Sequence, residues 1–181
     1  VILYDRLVNE RLLNQARPEA ELIYVGKKAG DHTYTQDQIN RLLIKKARAG
    51  KEVVRLKGGD PFIFGRGGEE AQTLAQAGIE FEIVPGITSP IAAPAYAGIP
   101  LTHRDFSSST AFVTGHSAAK KEQSAVDWDY LAQGVETLVI LMGVGNLAAI
   151  VDQLLAGGRK PETPAALIRW GSCPEQEVIT D

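Results

Sequence analysis

Short runs of β-forming apolar residues alternate with longer segments of helical periodicity, and this alternation constrains the fold more than any other feature. The segment 35–49 shows the helical pattern, since Ile39 and Leu43 share one face and Thr35 stands at the expected cap. Strands separated by helices form parallel sheets, because the helix returns the chain before the next strand. The sequence therefore predicts an α/β fold. Strands are expected at 1–4, 22–25, 53–56, 81–84, 111–114, 138–142 and 166–168, and further helices at 69–77 and 146–156.

The alternation breaks at residues 98–105, where Gly98 and Pro100 interrupt any helix and a polar cluster follows. We expect a domain boundary here, with one α/β domain at 1–104 and a second at 105–181. The chain begins inside an apolar run and ends inside another strand-like segment. Natural termini are usually polar and loosely held, so both ends are expected to be cuts through a larger folded unit.

Composition places the chain among globular proteins. Hydrophobic residues make up 44% of the sequence and charged residues 23%, which excludes the disordered and collagen-like classes. A formal net charge of −3 argues against nucleic-acid binding, which requires a concentrated basic surface. Apolar stretches such as residues 137–142 are too short to cross a membrane. Cys173 is the single cysteine, so the sequence offers neither an internal disulfide nor a cysteine-based zinc site.

Glycines and short polar side chains follow several predicted strands, at the edge where open parallel sheets bind ligands. The Gly-Gly-Asp turn at 58–60 offers backbone N–H groups and one carboxylate, which suits a ribose or the amino group of an amino-acid-like cofactor. The turn lacks the spacing of a P-loop, and the segment 65–68 lacks that of a dinucleotide fingerprint. For any one of these loops, an ordinary turn is a better interpretation than a ligand-binding loop. For all of the loops together, that interpretation is weaker.

Asp5 and Lys27 each follow a predicted strand and are candidates for proton transfer. A carboxylate at this edge can act as a general base, although capping of the next helix is the commoner role of Asp there. Lys27 can donate a proton or bind an anion, with a solvated lysine as the alternative. Met142, at another strand end, can line an adenine or sulfonium pocket or belong to the core. A metal site built from the histidines has no supporting spacing.

Several strings resemble, in the same order, the motifs of the uroporphyrinogen-III C-methyltransferases, which are tetrapyrrole methylases. The long string at 54–70, which contains Leu-Lys-Gly-Gly-Asp-Pro, is the most specific. The segments 84–89 and 98–104 resemble the next two motifs, and 3–8 and 24–27 resemble two earlier ones. The likeness covers essentially the whole chain.

The resemblance implies two α/β domains of the tetrapyrrole methylase type, with S-adenosylmethionine in the cleft between them. The implied reaction transfers two methyl groups to carbons of uroporphyrinogen III, giving precorrin-2 and S-adenosylhomocysteine, for sirohaem and cobalamin biosynthesis. The resemblance also implies a homodimer in the cytoplasm. A sulfonium methyl group is already a strong electrophile, so we expect no metal to be needed. Because the family opens with a strand and a cofactor-contacting loop, we expect the N-terminal domain to lack both and the C-terminal domain to be incomplete.

By motif match, the resemblance also implies roles for individual residues. Asp5 corresponds to the proton acceptor and Lys27 to the proton donor. The substrate carries many carboxylates, so cations in predicted loops are candidates to bind it, with a salt bridge inside the loop as the alternative for Arg66 and Arg104. These cations are Arg6, Lys27, Arg66, His103 and Arg104. The cofactor contacts correspond to Gly58, Gly59, Asp60, Ile63, Thr88, Ser89, Met142 and Gly171.

Two other functions stay open. A related methylase that acts on a later precorrin differs mainly in the substrate pocket, and the strings Leu-Tyr-Asp-Arg and Leu-Thr-His-Arg favour uroporphyrinogen III instead. A non-catalytic, truncated ligand-binding remnant is the alternative of a different class, and it would keep the fold without the reaction.

Overall fold

A computed structural model describes residues 1–26, 34–116 and 126–181. Within these ranges the chain divides into two compact units, Val1–Thr88 and Ser89–Asp181. Each unit combines strands with helices, as the predicted α/β class requires. This division lies earlier in the chain than the expected boundary between the two domains, which stays a prediction.

The first unit is built on a three-stranded parallel sheet. Its strands are β1 (Ile2–Tyr4), β2 (Leu22–Tyr24) and β3 (Val54–Leu56), in the order β2-β1-β3. The first residues of the three strands lie opposite one another, so the central strand β1 is paired along both edges. Because all three strands run in the same direction, the loops that follow them leave from one edge of the sheet.

Helices pack against this sheet and close its core. Helix α1 spans Gln36–Arg48, α2 spans Gly67–Gln76, and a short 3-10 helix spans Glu10–Gln15. Helix α1 begins at the predicted capping box: the Thr35 side chain accepts from Gln38 N, and the Gln38 side chain accepts from Thr35 N. The core of the unit consists of the buried side chains Leu3, Val25, Ile39 and Leu43.

The strand expected at residues 81–84 does not form. The backbone from residue 79 to residue 88 has no regular secondary structure and pairs with no strand in the described part of the chain. Phe81 is 44% exposed and Val84 is 73% exposed. An apolar, β-forming composition favours a strand, but a strand also needs a neighbour that supplies ladder hydrogen bonds. The prediction for this run is therefore wrong, because the run has no partner among the described residues.

The second unit combines a parallel and an antiparallel pair of strands. Strands β4 (Thr110–Thr114) and β5 (Thr137–Leu141) are parallel. Strands β6 (Ala166–Arg169) and β7 (Glu177–Thr180) are antiparallel, because a short turn joins them and no crossover helix intervenes. The helices of this unit are α3 (Ser89–Tyr96), α4 (Trp128–Gly134) and α5 (Leu147–Ala156), and a 3-10 turn at Val144–Asn146 precedes α5.

Two helices supply the core of the second unit. Trp128 and Leu131 come from α4 and Ile150 comes from α5, and all three are buried against residues of β4 and β5. The sequence did not indicate α3, because it contains Pro94 in its interior and proline disfavours helix there. In the described ranges, no helix has both the length and the apolar character needed to span a membrane.

Leu3 is the most informative position for a test of the first core. Its side chain is fully buried, so Leu3→Ala should lower the free energy of unfolding by about 2–5 kcal/mol through lost burial and a cavity. The matched control is Leu12→Ala, at a position 46% exposed, which should cost less than about 1 kcal/mol. Urea unfolding followed by circular dichroism measures both variants. Equal losses would contradict the assignment of Leu3 to the core.

Candidate functional site

The loops that follow the three strands of the first unit contact one another. A Cβ atom at Gly26, after β2, would lie 2.7 Å from Arg6 N. A Cβ atom at Gly58, after β3, would lie 2.7 Å from the Leu7 carbonyl oxygen. Both distances are too short for a real side chain, so the close approach of these loops requires glycine at both positions.

The Gly-Gly-Asp turn also contacts the segment 85–88. Gly59 has a φ of +83°, and a Cβ atom there would lie 3.3 Å from Thr88 Cα. A Cβ atom at Gly86 would overlap the carbonyl oxygen of Gly59. The structure therefore brings two of the predicted cofactor-binding segments together within the first unit, with Thr88 only 5% exposed.

The Asp60 carboxylate holds these two segments in place. One carboxylate oxygen accepts a hydrogen bond from Phe62 N at 2.8 Å, and the other accepts from Gly86 N at 3.1 Å. The next loop carries two non-glycine residues with positive φ, Phe64 at 53° and Arg66 at 59°. Such strained backbone persists only where the surroundings hold it. Ile63, in the same loop, is 37% exposed and therefore accessible to a ligand.

Asp5 lies directly after β1, and both of its carboxylate oxygens are engaged. Oδ1 accepts a hydrogen bond from Leu7 N at 3.2 Å, and Oδ2 accepts from Arg55 Nη2 at 3.0 Å. The Asp5 side chain is 24% exposed, so solvent or a ligand can still reach it. The hydrogen bond from Leu7 N stabilises the turn of the loop after β1, and the bond from Arg55 of β3 fixes the orientation of the Asp5 carboxylate.

Arg55, Lys57 and Glu70 form a buried charged cluster next to Asp5. Arg55 Nε donates to Glu70 Oε1 at 3.1 Å, and Lys57 Nζ lies 3.3 Å from both Glu70 oxygens. Gln36 Nε2, from α1, also donates to Glu70 Oε1, at 3.1 Å. Burial lowers the pKa of the Lys57 ammonium below its ordinary value, the Arg55 charge lowers it further, and Glu70 opposes both effects.

Sequence reasoning missed this cluster. Arg55 and Lys57 stand two positions apart at the end of β3, so they project to the same face of the sheet. The sequence indicated the cluster only through two cations on one face of an otherwise apolar strand, because buried cations require anionic partners. Their partner, Glu70, stands in the first turn of α2, and no sequence spacing links it to β3.

In the second unit, the end of β5 is tightly packed. Met142, the first residue after β5, has a φ of 56° and is 59% exposed, so it is not a core residue. The next residue, Gly143, lies against the end of the parallel strand: a Cβ atom at Gly115 would fall 2.6 Å from Gly143 Cα. Asn146 Nδ2 donates to the carbonyl oxygen of Gly115 at 2.8 Å and joins the two loops.

Gly171 and Ser89 also belong to this unit. A Cβ atom at Gly171 would lie 2.5 Å from Ala93 Cβ, so the loop after β6 packs directly against α3. Ser89 is the first residue of α3, and it is exposed. Trp170, beside Gly171, has a φ of 53° and is 58% exposed.

Similarity to known proteins identifies the family. The sequence profile of the Tetrapyrrole (Corrin/Porphyrin) Methylases matches residues 1–181. The chain belongs to this family. It is 59% identical over 180 residues to a uroporphyrinogen-III C-methyltransferase of Priestia megaterium, a match that covers 99% of this chain and 75% of that protein. It is 55% identical over 180 residues to a siroheme synthase of Photorhabdus laumondii subsp. laumondii, covering 99% of this chain and 38% of that protein.

A solved structure supports the same fold. The uroporphyrin-III C-methyl transferase of Thermus thermophilus, complexed with S-adenyl homocysteine, matches with a TM-score of 0.80 and 43% sequence identity. The match covers 99% of this chain and 74% of that chain. The tetrapyrrole methylase fold predicted from the motifs is thereby confirmed, while the cofactor cleft between two domains stays a prediction.

The predicted substrate-binding cations of this tetrapyrrole methylase differ from one another in exposure and in the partners that they contact. Arg66 forms a two-bond ion pair with Glu69, at 2.9 and 2.7 Å, which is the loop-internal salt bridge considered above. His103 accepts from Asp105 N through Nδ1, and its ring centroid lies 4.7 Å from that of Phe106, with the two rings tilted by 35°. Arg6 and Arg104 are exposed. Lys27 lies outside the described residues.

Across the described ranges, no group of three or more acidic, histidine or cysteine side chains is placed to hold a metal ion.

The contact between Gly86 and Gly59 is open to a direct test. Gly86→Ala should lower the free energy of unfolding by about 1–3 kcal/mol, because the new methyl group overlaps the Gly59 carbonyl oxygen. The matched control is Gly68→Ala in α2, where a Cβ atom meets nothing within 4 Å. The control should be neutral or stabilising by up to about 1 kcal/mol. Thermal unfolding compares the two, and a Gly86 variant as stable as the control would refute the predicted overlap.

Proposed function

We propose that this chain catalyses the S-adenosylmethionine-dependent C-methylation of uroporphyrinogen III. The observation that carries the proposal is the 59% identity, over 99% of the chain, to a uroporphyrinogen-III C-methyltransferase. Two methyl transfers give precorrin-2 for sirohaem biosynthesis, in agreement with the 55% identity to a siroheme synthase. A role in cobalamin biosynthesis, a homodimeric assembly and a cytoplasmic location extend the proposal and rest on the resemblance of the motifs.

The backbone of the first unit fits S-adenosylmethionine. Gly59 and Gly86 keep side chains away from the turn, and Asp60 holds the turn closed, so main-chain groups stay accessible in a fixed arrangement. When bound, S-adenosylmethionine supplies an electrophilic methyl group on a sulfonium. The proposed binding residues are Gly58, Gly59, Asp60, Ile63 and Thr88 in the first unit, and Ser89, Met142 and Gly171 in the second.

Asp5 is the proposed proton acceptor and Lys27 the proposed proton donor. C-methylation of a pyrrole ring requires removal of a proton as the bonds of the macrocycle rearrange, and a partly exposed carboxylate can accept it. The contacts of Asp5 with Leu7 N and Arg55 keep the carboxylate in one orientation while leaving part of it accessible. Proton transfer depends strongly on such positioning.

Exposed cations are proposed to bind the carboxylates of the substrate. Arg6 directly follows Asp5, so a carboxylate bound there would place the macrocycle beside the proposed proton acceptor. Arg66 is already paired with Glu69 and would have to exchange this exposed partner for the substrate, which costs little because exposed pairs are weak. His103 and Arg104 complete the proposed set.

Binding of the reaction product tests the cofactor site. Asp60→Asn leaves one carboxamide oxygen where two carboxylate oxygens accept from Phe62 N and Gly86 N, so the turn should loosen. Affinity for S-adenosylhomocysteine, measured by titration calorimetry, should fall by about 10- to 100-fold. The control Asp152→Asn, at an exposed position on α5, should bind like the unsubstituted protein. Unchanged affinity in the Asp60 variant would refute the assignment.

Removal of the proposed proton acceptor tests the reaction itself. Asp5→Asn keeps the shape of the side chain but removes its basicity, so kcat for methyl transfer to uroporphyrinogen III should fall by about 10²- to 10⁴-fold. Affinity for S-adenosylhomocysteine should stay within about twofold, because Asp5 is not among the proposed cofactor contacts. The assay follows labelled methyl transfer under anaerobic conditions, with Asp152→Asn as control. A variant as fast as the unsubstituted protein would exclude Asp5 from proton transfer.

The same assays separate the two alternative functions. A methylase of a later precorrin would bind S-adenosylhomocysteine and transfer methyl groups to that precorrin, but not to uroporphyrinogen III. A non-catalytic remnant would show no transfer to either substrate. The uroporphyrinogen-III methylase requires both cofactor binding and transfer to uroporphyrinogen III.

A further inference from the structure

Glu70 binds three donors with a single carboxylate. Its Oε1 accepts from Arg55 Nε, from Lys57 Nζ and from Gln36 Nε2, at 3.1, 3.3 and 3.1 Å. The residue is 5% exposed, and the side chains of Arg55 and Lys57 are 13% and 9% exposed. Glu70 therefore connects α2 with the end of β3 and with the start of α1, in an environment from which water is largely excluded.

Arg55 links Glu70 to Asp5, because it binds both carboxylates. Its guanidinium group uses all three nitrogens: Nε binds Glu70, Nη1 donates to the carbonyl oxygens of Leu3 and Leu56, and Nη2 donates to Asp5 Oδ2. A planar guanidinium with every nitrogen engaged has one orientation available. The position of Arg55 Nη2, and with it that of the Asp5 carboxylate, depends on the anchor at Nε.

The charges of the cluster balance. Asp5 and Glu70 carry one negative charge each, and Arg55 and Lys57 carry one positive charge each. Without Glu70, two buried cations would share the single carboxylate of Asp5, and Lys57 would compete with Arg55 for it. Glu70 also raises the pKa of Lys57 against the effects of burial and of Arg55, so its removal would lower that pKa further.

We propose that Glu70 is a positioning residue for the reaction: by anchoring Arg55 and occupying Lys57, it holds the Asp5 carboxylate in the orientation that accepts the proton. This inference rests on the proposed function, because it assigns a supporting residue to the proposed proton acceptor. Glu70 itself is buried among side chains of the protein, whereas Asp5 is partly exposed. Glu70 acts through Arg55 and has no contact with the substrate.

The other charged groups near the cluster are accounted for. Arg66 and Glu69 interact with it only at long range and pair with each other at the surface. Helix α1 contributes Gln36 and Asn40, which are neutral. Asp5 has Arg6 as its sequence neighbour, and Arg6 is exposed. Among the described charged groups, the four of the cluster are therefore the ones that determine how Asp5 is held, beside the hydrogen bond from Leu7 N.

Glu70→Gln tests the proposal. The carboxamide keeps the size of the side chain but carries no charge, so Arg55 and Lys57 would share the single carboxylate of Asp5 and Arg55 should lose its fixed orientation. We expect kcat for methyl transfer to fall by about 10- to 100-fold, with KM for both substrates within about twofold of the unsubstituted protein. The ¹³C resonance of the Asp5 side-chain carboxyl should also shift, because its hydrogen-bond partner moves. This resonance is assigned by comparison with Asp5→Asn.

Two further variants separate positioning from loss of structure. Glu21→Gln removes an ion pair with Lys46 before β2 and should change neither kcat nor the Asp5 resonance. The double variant Lys57→Met with Glu70→Leu keeps the cluster neutral, which protects folding, but removes the oxygen that anchors Arg55 Nε and should stay slow. Thermal unfolding of each variant establishes that the protein is folded at the assay temperature.

The outcomes distinguish this inference from the proposed function. Lower kcat with unchanged KM and a shifted Asp5 resonance supports the positioning role. Unchanged kcat in Glu70→Gln, an unshifted Asp5 resonance, or a double variant as fast as the unsubstituted protein overturns it. If the unsubstituted protein transfers no methyl group to uroporphyrinogen III, the proposed function fails, and the Asp5 resonance alone decides whether Glu70 positions that carboxylate.

Discussion

Close backbone contact among the strand-end loops of the first unit is the constraint on which the candidate site depends. Three strands that run in the same direction release their loops at one edge, and Gly26 and Gly58 let these loops approach without side chains between them. Gly86, in the irregular segment after α2, lets that segment approach the loop after β3 in the same way. The Asp60 carboxylate then accepts from two backbone amides and keeps the Gly-Gly-Asp turn against the segment 85–88. A side chain at any of these glycines would separate elements that the proposed cofactor site requires to be adjacent.

A second constraint lies beneath this edge. The charged cluster that joins Asp5, Arg55, Lys57 and Glu70 is mostly buried, so its interactions are less screened by water than those of the surface pair Arg66–Glu69. Buried ion pairs contribute little net stability, because desolvation offsets their attraction. Their effect here is geometric, since they fix one orientation of Arg55 and thereby of Asp5. The proposed chemistry therefore depends on residues that are not themselves accessible to a substrate.

Much of the fold could be predicted from local patterns. Six of the expected strands form near their predicted positions, and the capping box at Thr35 begins α1 as expected, because caps and periodicity are local properties. The run at 81–84 was mispredicted, because strand formation depends on a partner that local composition does not reveal. Helix α3 was missed for the opposite reason, since its internal Pro94 argues against helix although the helix forms.

The sequence by itself determined the α/β class, the family motifs and the residue types at the strand ends, because these follow from periodicity, turn chemistry and the spacing of glycines. It also identified Asp5 and Asp60 as candidates. Only the tertiary structure decided that Asp60 holds the turn closed, that Met142 is exposed rather than buried in the core, and that Glu70 of α2 meets Arg55 of β3. The physical reason is that burial and contacts of this kind depend on how loops, helices and strands pack within each unit, and this packing brings together residues whose separation in sequence carries no signal.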